Sequence, residues 1–136
     1  MTAFSGIRII DFSGGIAGPM ATMLLGDLGA EVIKVEPLAG DRMKDHPGYL
    51  CWNRNKQVVT LDLHTFAGLS AARSLLATAD MAVFDWHPGE LERSGLDAVT
   101  VRAANPALLH AWFPPYSPHG RWSQLPPDEA LLSAVS

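Results

Sequence analysis

The sequence predicts an α/β fold, a Rossmann-like parallel sheet with flanking helices. Three observations predict it. The stretch GIRIIDFSGGIAGPMATMLLGDLGAEVIKVE, residues 6–36, reads as strand, glycine turn, helix, strand. Beyond it, short β-branched or aromatic runs keep alternating with segments of helical apolar spacing. Glycine and proline mark turns between these segments, as at Ser13-Gly14-Gly15 and His87-Pro88-Gly89.

In chain order, Arg8 to Phe12 is the first strand, ended by Ser13-Gly14-Gly15. A helix follows, with Pro19 in its first turn, Gly29 as its C-terminal cap, and an apolar stripe of Met20, Met23, Leu24, Leu25 and Leu28. Glu31 to Glu36 is a second strand, parallel to the first because a βαβ crossover joins them. Residues 37–55 form a long loop, and Tyr49 and Trp52 imply that it is partly packed. QVVTLDL, residues 57–63, is a third strand. Thr65 then caps a helix whose stripe is Phe66, Leu69, Ala72, Leu75 and Leu76. MAVFDW, residues 81–86, is a fourth strand, followed by a short helix from Glu90 to Ser94 closed by Gly95. A helix over 97–104 and a fifth strand over 108–113 come next, and the final residues, 128–136, read as the start of another helix. That helix stops in mid-pattern, so the chain is expected to be the N-terminal part of something longer, or a degenerate half of a fused protein.

The 136 residues, 48% of them hydrophobic, suffice for one domain with a core and not for two. A net charge of −4 gives no general attraction to nucleic acid or to an anionic membrane, and no apolar run is long enough to span one. A single cysteine, Cys51, forms no intrachain disulfide, and the expected setting is cytoplasmic. The five histidines never fall at metal-ligand spacing with Cys51 or a carboxylate, so no metal is expected.

For chemistry, ligands of parallel sheets collect at the carboxyl ends of strands, so the turn from Ser13 to Pro19 is the first candidate. Ser13-Gly14-Gly15-Ile16-Ala17-Gly18 is a dinucleotide fingerprint with its first glycine replaced, and Glu36 lies where such folds keep a ribose-binding acid. The same turn also serves plain strand-to-helix packing. Arg42, Lys44, Arg54 and Lys56 form a phosphate patch or a solvated loop. Ser13, Ser117, Ser123 and Cys51 lack any nucleophile signature.

GIRIIDFSGGIAGPMATMLLGDLGAEVIKVEPLAGD, NRNKQVVTLDLHT, ADMAVFDWHPGELERSGLD and NPALLHAWF, in that order, resemble the N-terminal part of the class III coenzyme A transferases. This CaiB/BaiF-type family includes formyl-CoA and carnitine CoA-transferases and 2-methylacyl-CoA racemases. The resemblance covers nearly the whole chain. It implies contact of coenzyme A with Gly15, Ile16 and Ala17, the middle one a glutamine in many members. It implies further contacts at Leu61 and at His64, where a lysine is common. The family's Asn-Phe-Arg-Pro-Gly, whose first two residues the resemblance implies as further cofactor contacts, reads Asp85-Trp86-His87-Pro88-Gly89 here, so an acid that would repel the CoA phosphates stands in place of the neutral amide that faces the cofactor. Arg93 matches an arginine that binds CoA phosphates.

Family members are several times longer and interlock as dimers, so a second copy or the remainder of a longer chain is the implied partner, and CoA or an acyl-CoA the implied ligand. The family's nucleophilic aspartate lies beyond Ser136, and where the racemase branch has a histidine and an aspartate this chain has Asp128 and Glu129. The resemblance therefore implies a CoA-binding segment, residues 1–136, with no catalytic residue of its own. Two other readings remain open: a non-catalytic interaction module with a decayed pocket, and a nucleotide-binding oxidoreductase domain.

Overall fold

A computed structural model describes residues 2–123 and Leu125. The expected helix over 128–136, with Asp128 and Glu129, lies outside the described residues. Five parallel strands run in the order β3-β2-β1-β4-β5. They are β1 (Arg8–Asp11), β2 (Glu31–Glu36), β3 (Lys56–Thr60), β4 (Met81–Phe84) and β5 (Leu109–Trp112). The helices are α1 (Ala17–Asp27), α2 (Tyr49–Trp52), α3 (Phe66–Ala77), α4 (Glu90–Ser94) and α5 (Ala98–Ala104). β1 lies at the centre, with Ile9 opposite Val32 of β2 on one side and Met81 of β4 on the other. The strand order reverses beside β1, the crevice where sheets of this kind take ligands.

Local sequence explains the helix ends. Thr65 accepts a hydrogen bond from the Gly68 N–H at 3.1 Å, and Asp97 accepts from the Val99 and Thr100 N–H groups, both at 3.0 Å. α1 ends in a Schellman turn: Gly29 N–H donates to the Gly26 carbonyl and Ala30 N–H to the Leu25 carbonyl. Gly29 has φ +105°, which only glycine adopts without strain.

Side-chain alternation splits the sheet into two unlike faces. Ile10, Phe12, Ile33, Val35, Ala82 and Phe84 point to the face covered by α3, α4 and α5, where Ala72, Leu76, Leu91 and Val101 complete an apolar core. Phe84 is stacked between Phe12 and His110, with ring centroids 4.7 and 4.8 Å away. On the other face, under α1, Ile9, Ala30, Val32 and Val83 form a smaller buried apolar cluster among the described residues, with Leu25 and Met81 packed against it.

The helix stripes differ in part from expectation. α1 buries Gly18, Pro19, Thr22 and Met23, while Met20, Leu24 and Leu28 face outward. Small residues let this helix lie close to the sheet, and the Thr22 hydroxyl reaches a strand carboxylate, so the most apolar side of α1 is turned away. α3 follows its expected stripe except at its first residue: Ala72 and Leu76 are buried, Leu69 and Leu75 pack against the core, and Phe66 is exposed. The long loop after β2 holds one helical turn, α2, which buries Trp52.

Candidate functional site

All eight residues singled out for CoA contact stand at the carboxyl edge of the sheet. Gly15, Ile16 and Ala17 follow β1, Leu61 and His64 follow β3, Asp85 and Trp86 follow β4, and Arg93 lies on α4 just beyond. Four of them, Leu61, His64, Trp86 and Arg93, line a cleft of about 820 Å³ on the apolar face, within the size range of small-ligand sites. Phe12, Val35 and Leu69 add apolar wall, and residues 37–39 form one side. The Trp86 indole is fixed by donating Nε1–H to the Phe12 carbonyl at 3.0 Å, and the Trp112 indole donates to the Trp86 carbonyl at 2.9 Å. Glu90 accepts from the His87 N–H at 2.9 Å and so orders the turn into α4. Arg93 is exposed and forms no ion pair among the described residues. The cleft thus joins an apolar floor to a charged rim on which Arg93 stands with Asp62 and Glu90. Glu90 is engaged by the His87 N–H, and the Arg93 guanidinium is the group that suits an anionic part of a ligand with a long uncharged body.

Gly15, Ile16, Ala17 and Asp85 do not line this cleft. Gly15 and Asp85 meet on the other side of β1 and β4. The expectation of an uncompensated carboxylate at Asp85 is overturned: its carboxylate accepts the Gly14 N–H at 3.1 Å and the Gly15 N–H at 2.7 Å, and pairs with the Arg42 guanidinium at 2.9 Å. Burial pushes the Asp85 carboxyl above the usual carboxylate range, against the opposing pull of Arg42 and the two backbone donors. The fingerprint turn therefore already holds an anion, and a cofactor pyrophosphate would have to displace it. Glu36 is buried and accepts a hydrogen bond from the Tyr49 hydroxyl, so it is not free to hold a ribose. Both findings weigh against the oxidoreductase reading.

The phosphate patch does not form. Lys56 is buried against Asp11, Arg42 pairs with Asp85, and Arg54 pairs with Asp27 at 2.5 Å. What sequence reasoning missed is the network that Lys56 belongs to. Lys56 Nζ donates to Asp11 Oδ2 at 2.9 Å, to the Pro19 carbonyl and to Asn53. Lys34 Nζ donates to the Ser13 carbonyl at 2.7 Å and pairs with Asp41 at 2.7 Å. Asp11 also accepts from the Ser13 N–H and hydroxyl and from the Thr22 hydroxyl. Lys34, Lys56 and Asp11 have no exposed side-chain surface, and Asp41 has 2%. Burial alone would raise the Asp11 pKa, but Lys56, Lys34 and the Ser13 hydroxyl hold it below the usual range. Two opposite pairs thus neutralise each other beneath the turn and grip Ser13 by both its N–H and its carbonyl.

The signal for this network was present. In EVIKVE, Lys34 shares a face with Val32, and Asp11 shares one with Ile9 on the neighbouring strand. A parallel sheet covered on both faces has to pair such charges. Among the described residues, no three of His, Cys, Asp and Glu come together as metal ligands, and no helix is long and apolar enough to cross a membrane.

Sequence and structure comparisons bear on the same ground. The profile of CoA-transferase family III matches residues 4–136. The CoA-transferase/lyase DddD of Marinomonas sp. (strain MWYL1) is 36% identical over 135 residues, covering 96% of this chain and 16% of that protein. The succinyl-CoA–L-malate CoA-transferase alpha subunit of Chloroflexus aurantiacus is 39% identical over 116 residues, covering 77% of this chain and 27% of its own length. The crystal structure of Rv3272 from M. tuberculosis superposes with a TM-score of 0.94 at 35% identity, over 99% of this chain and 38% of that one. The chain thus spans between about a sixth and two fifths of the length of these relatives. With the profile running across nearly all of the sequence and the parallel sheet superposing on a solved relative, this chain belongs to CoA-transferase family III.

Proposed function

We propose that this chain is the Rossmann-like, CoA-binding N-terminal part, over residues 1–136, of an acyl-CoA:carboxylate CoA-transferase. It supplies the wall that holds coenzyme A rather than the nucleophile. The observation that carries this reading is the cleft in which Leu61, His64, Trp86 and Arg93, from two separate stretches of sequence, come together at the carboxyl edge. The apolar wall takes the uncharged part of the ligand, and the Arg93 guanidinium pairs with a phosphate. Gly15, Ile16 and Ala17 form the second side of the approach, with Asp85 holding the Gly14 and Gly15 backbone in place. CoA enters as the acyl carrier, so an acyl-CoA is the substrate class. The setting is cytoplasmic, and the partner is a second copy in a homodimer or the remainder of a longer chain. That a relative is named as an alpha subunit supports an assembled form.

Calorimetric titration with CoA tests the reading. The chain is expected to bind, and Arg93→Ala to weaken binding roughly tenfold or more, the worth of one charge-assisted phosphate contact. Absence of saturable binding at millimolar CoA would overturn it in favour of a non-catalytic interaction module. That second reading draws on the Asp85 carboxylate, which closes the glycine turn. For the chemistry, incubation with an acyl-CoA and hydroxylamine is expected to yield no stoichiometric acyl-hydroxamate. A hydroxamate that disappears in Asp85→Asn would place a nucleophile within this segment.

A further inference from the structure

Asp85 is held as a bound ligand is held. Its Oδ2 accepts the Gly15 N–H at 2.7 Å and the Gly14 N–H at 3.1 Å, and meets Arg42 Nη2 at 2.9 Å, while Oδ1 lies 3.1 Å from the Gly14 nitrogen. Arg42 is itself anchored, since its Nε–H donates to the Gly14 carbonyl at 3.0 Å. Two consecutive backbone donors and one guanidinium therefore converge on a single planar carboxylate, the donor set that recognises free carboxylates. Space is reserved for it: a Cβ on Gly15 would lie 2.9 Å from both Asp85 Oδ2 and Arg42 Nη2. The Arg42 side chain is 47% exposed and that of Asp85 14%, so the pocket opens to solvent on the arginine side. The occupant is not comfortable there, because burial raises its pKa despite these partners.

We propose that the Gly14 and Gly15 N–H groups and the Arg42 guanidinium form a carboxylate-binding site that the chain keeps filled with its own Asp85, so that an external monocarboxylate enters only in competition with that side chain. The site lies across β1 and β4 from the cleft; it shares Gly15 and Asp85 with the proposed CoA approach, and its test reads carboxylate binding with no CoA present, so the two readings can fail separately. It gives Asp85 a role as a specificity device: small carboxylates and phosphates are turned away from the glycine turn while its side chain is seated, and the turn becomes a carboxylate receptor when it leaves.

The test uses the whole chain with Asp85→Gly, which removes the occupant and leaves a cavity of matching shape. Formate, acetate and inorganic phosphate are titrated against it by calorimetry and thermal melting, with chloride at equal ionic strength as control. The expected result is saturable millimolar binding of formate or acetate, at least tenfold tighter than to the native chain, and lost in Asp85→Gly/Arg42→Gln. Equal responses of native and variant chains, or indifference to Arg42, overturn the proposal. Phosphate binding tenfold tighter than formate overturns the carboxylate assignment. Should Asp85→Gly not fold, Asp85→Ala also vacates the site while keeping a Cβ on the backbone. Formate is then expected to shift the Gly14 and Gly15 amide resonances in that variant and not in the native chain, and unmoved resonances in both overturn it.

Discussion

The two faces of the sheet solve the same problem, covering β1, β2 and β4, by opposite means. Under α3, α4 and α5 the cover is apolar, with Phe12, Phe84, Leu76 and Leu108 nearly or fully buried. Under α1 the amino-terminal half is apolar, but towards the carboxyl edge Asp11, Lys34, Asp41 and Lys56 are buried as two interlocked ion pairs. An apolar face holds by area and tolerates small losses. An ionic face holds by pairing, and any single removal leaves a buried charge alone. The difference follows from what each face supports: a cleft wall on one side, and on the other a turn whose backbone has to be gripped.

The largest break is expected on the ionic side. Lys34→Met strands Asp41 and frees the Ser13 carbonyl, and should cost about 3–5 kcal/mol in urea unfolding. Lys34→Met/Asp41→Leu should recover much of it. If the double variant is as unstable as the single one, the pairing account of this face fails. On the apolar side Leu76→Ala is expected to cost about 3 kcal/mol, with no rescue by a partner change.

Acid sharpens the comparison through two carboxylates. The Asp11 pKa is depressed in the fold, so its contribution is present above the unfolded value of 3.8 and lost as pH falls below it. The Asp85 pKa is raised, so its contribution is fully present below 3.8 and lost as pH rises through the folded value. Urea midpoints between pH 5 and 2 should therefore fall less steeply in Asp11→Asn than in the native chain, and more steeply in Asp85→Asn. A change of slope in the same direction, relative to the native chain, in both variants would sink this assignment. The smallest effect belongs to the opposite edge, where Arg8 and Glu31 pair at 2.7 Å with both side chains about 40% exposed. Arg8→Ala should change stability by about 0–1 kcal/mol and matter less still in salt.

Most of the fold was legible in the sequence, and the errors have a pattern. Strands β1, β3, β4 and β5 all end sooner than their apolar runs: Phe12, Leu61 to Leu63, Asp85-Trp86 and Phe113 lie beyond the carboxyl ends. Several of these residues stay apolar because they line the cleft, so periodicity read one purpose as another. The apolar stripe of α3 packs inward except at Phe66, while that of α1 misled in part, since α1 meets the sheet through Gly18, Thr22 and Met23 and leaves Leu24 outside. The ionic network was harder to see. Asp11 and Lys56 are 45 positions apart, and Lys56 stood among loop cations that look solvated. Asp85 was read as a misplaced charge because its partners, two backbone N–H groups and an arginine 43 positions away, carry no sequence signature.

The central position of β1 also orders events in time. Its contact with β2 closes a loop of 23 positions, Ile9 to Val32, whereas its contact with β4 closes one of 72, Ile9 to Met81. The longer closure costs about 1 kcal/mol more in chain entropy. All four charges of the network belong to the first 56 residues, so that face can assemble while β1 still has one edge open. Pulse-labelling hydrogen exchange is expected to protect the β1–β2 amides before those of β4. Until β4 arrives, the exposed edge of β1 is a strand in search of a partner, and the interval before it closes is when this chain is most prone to pair with another.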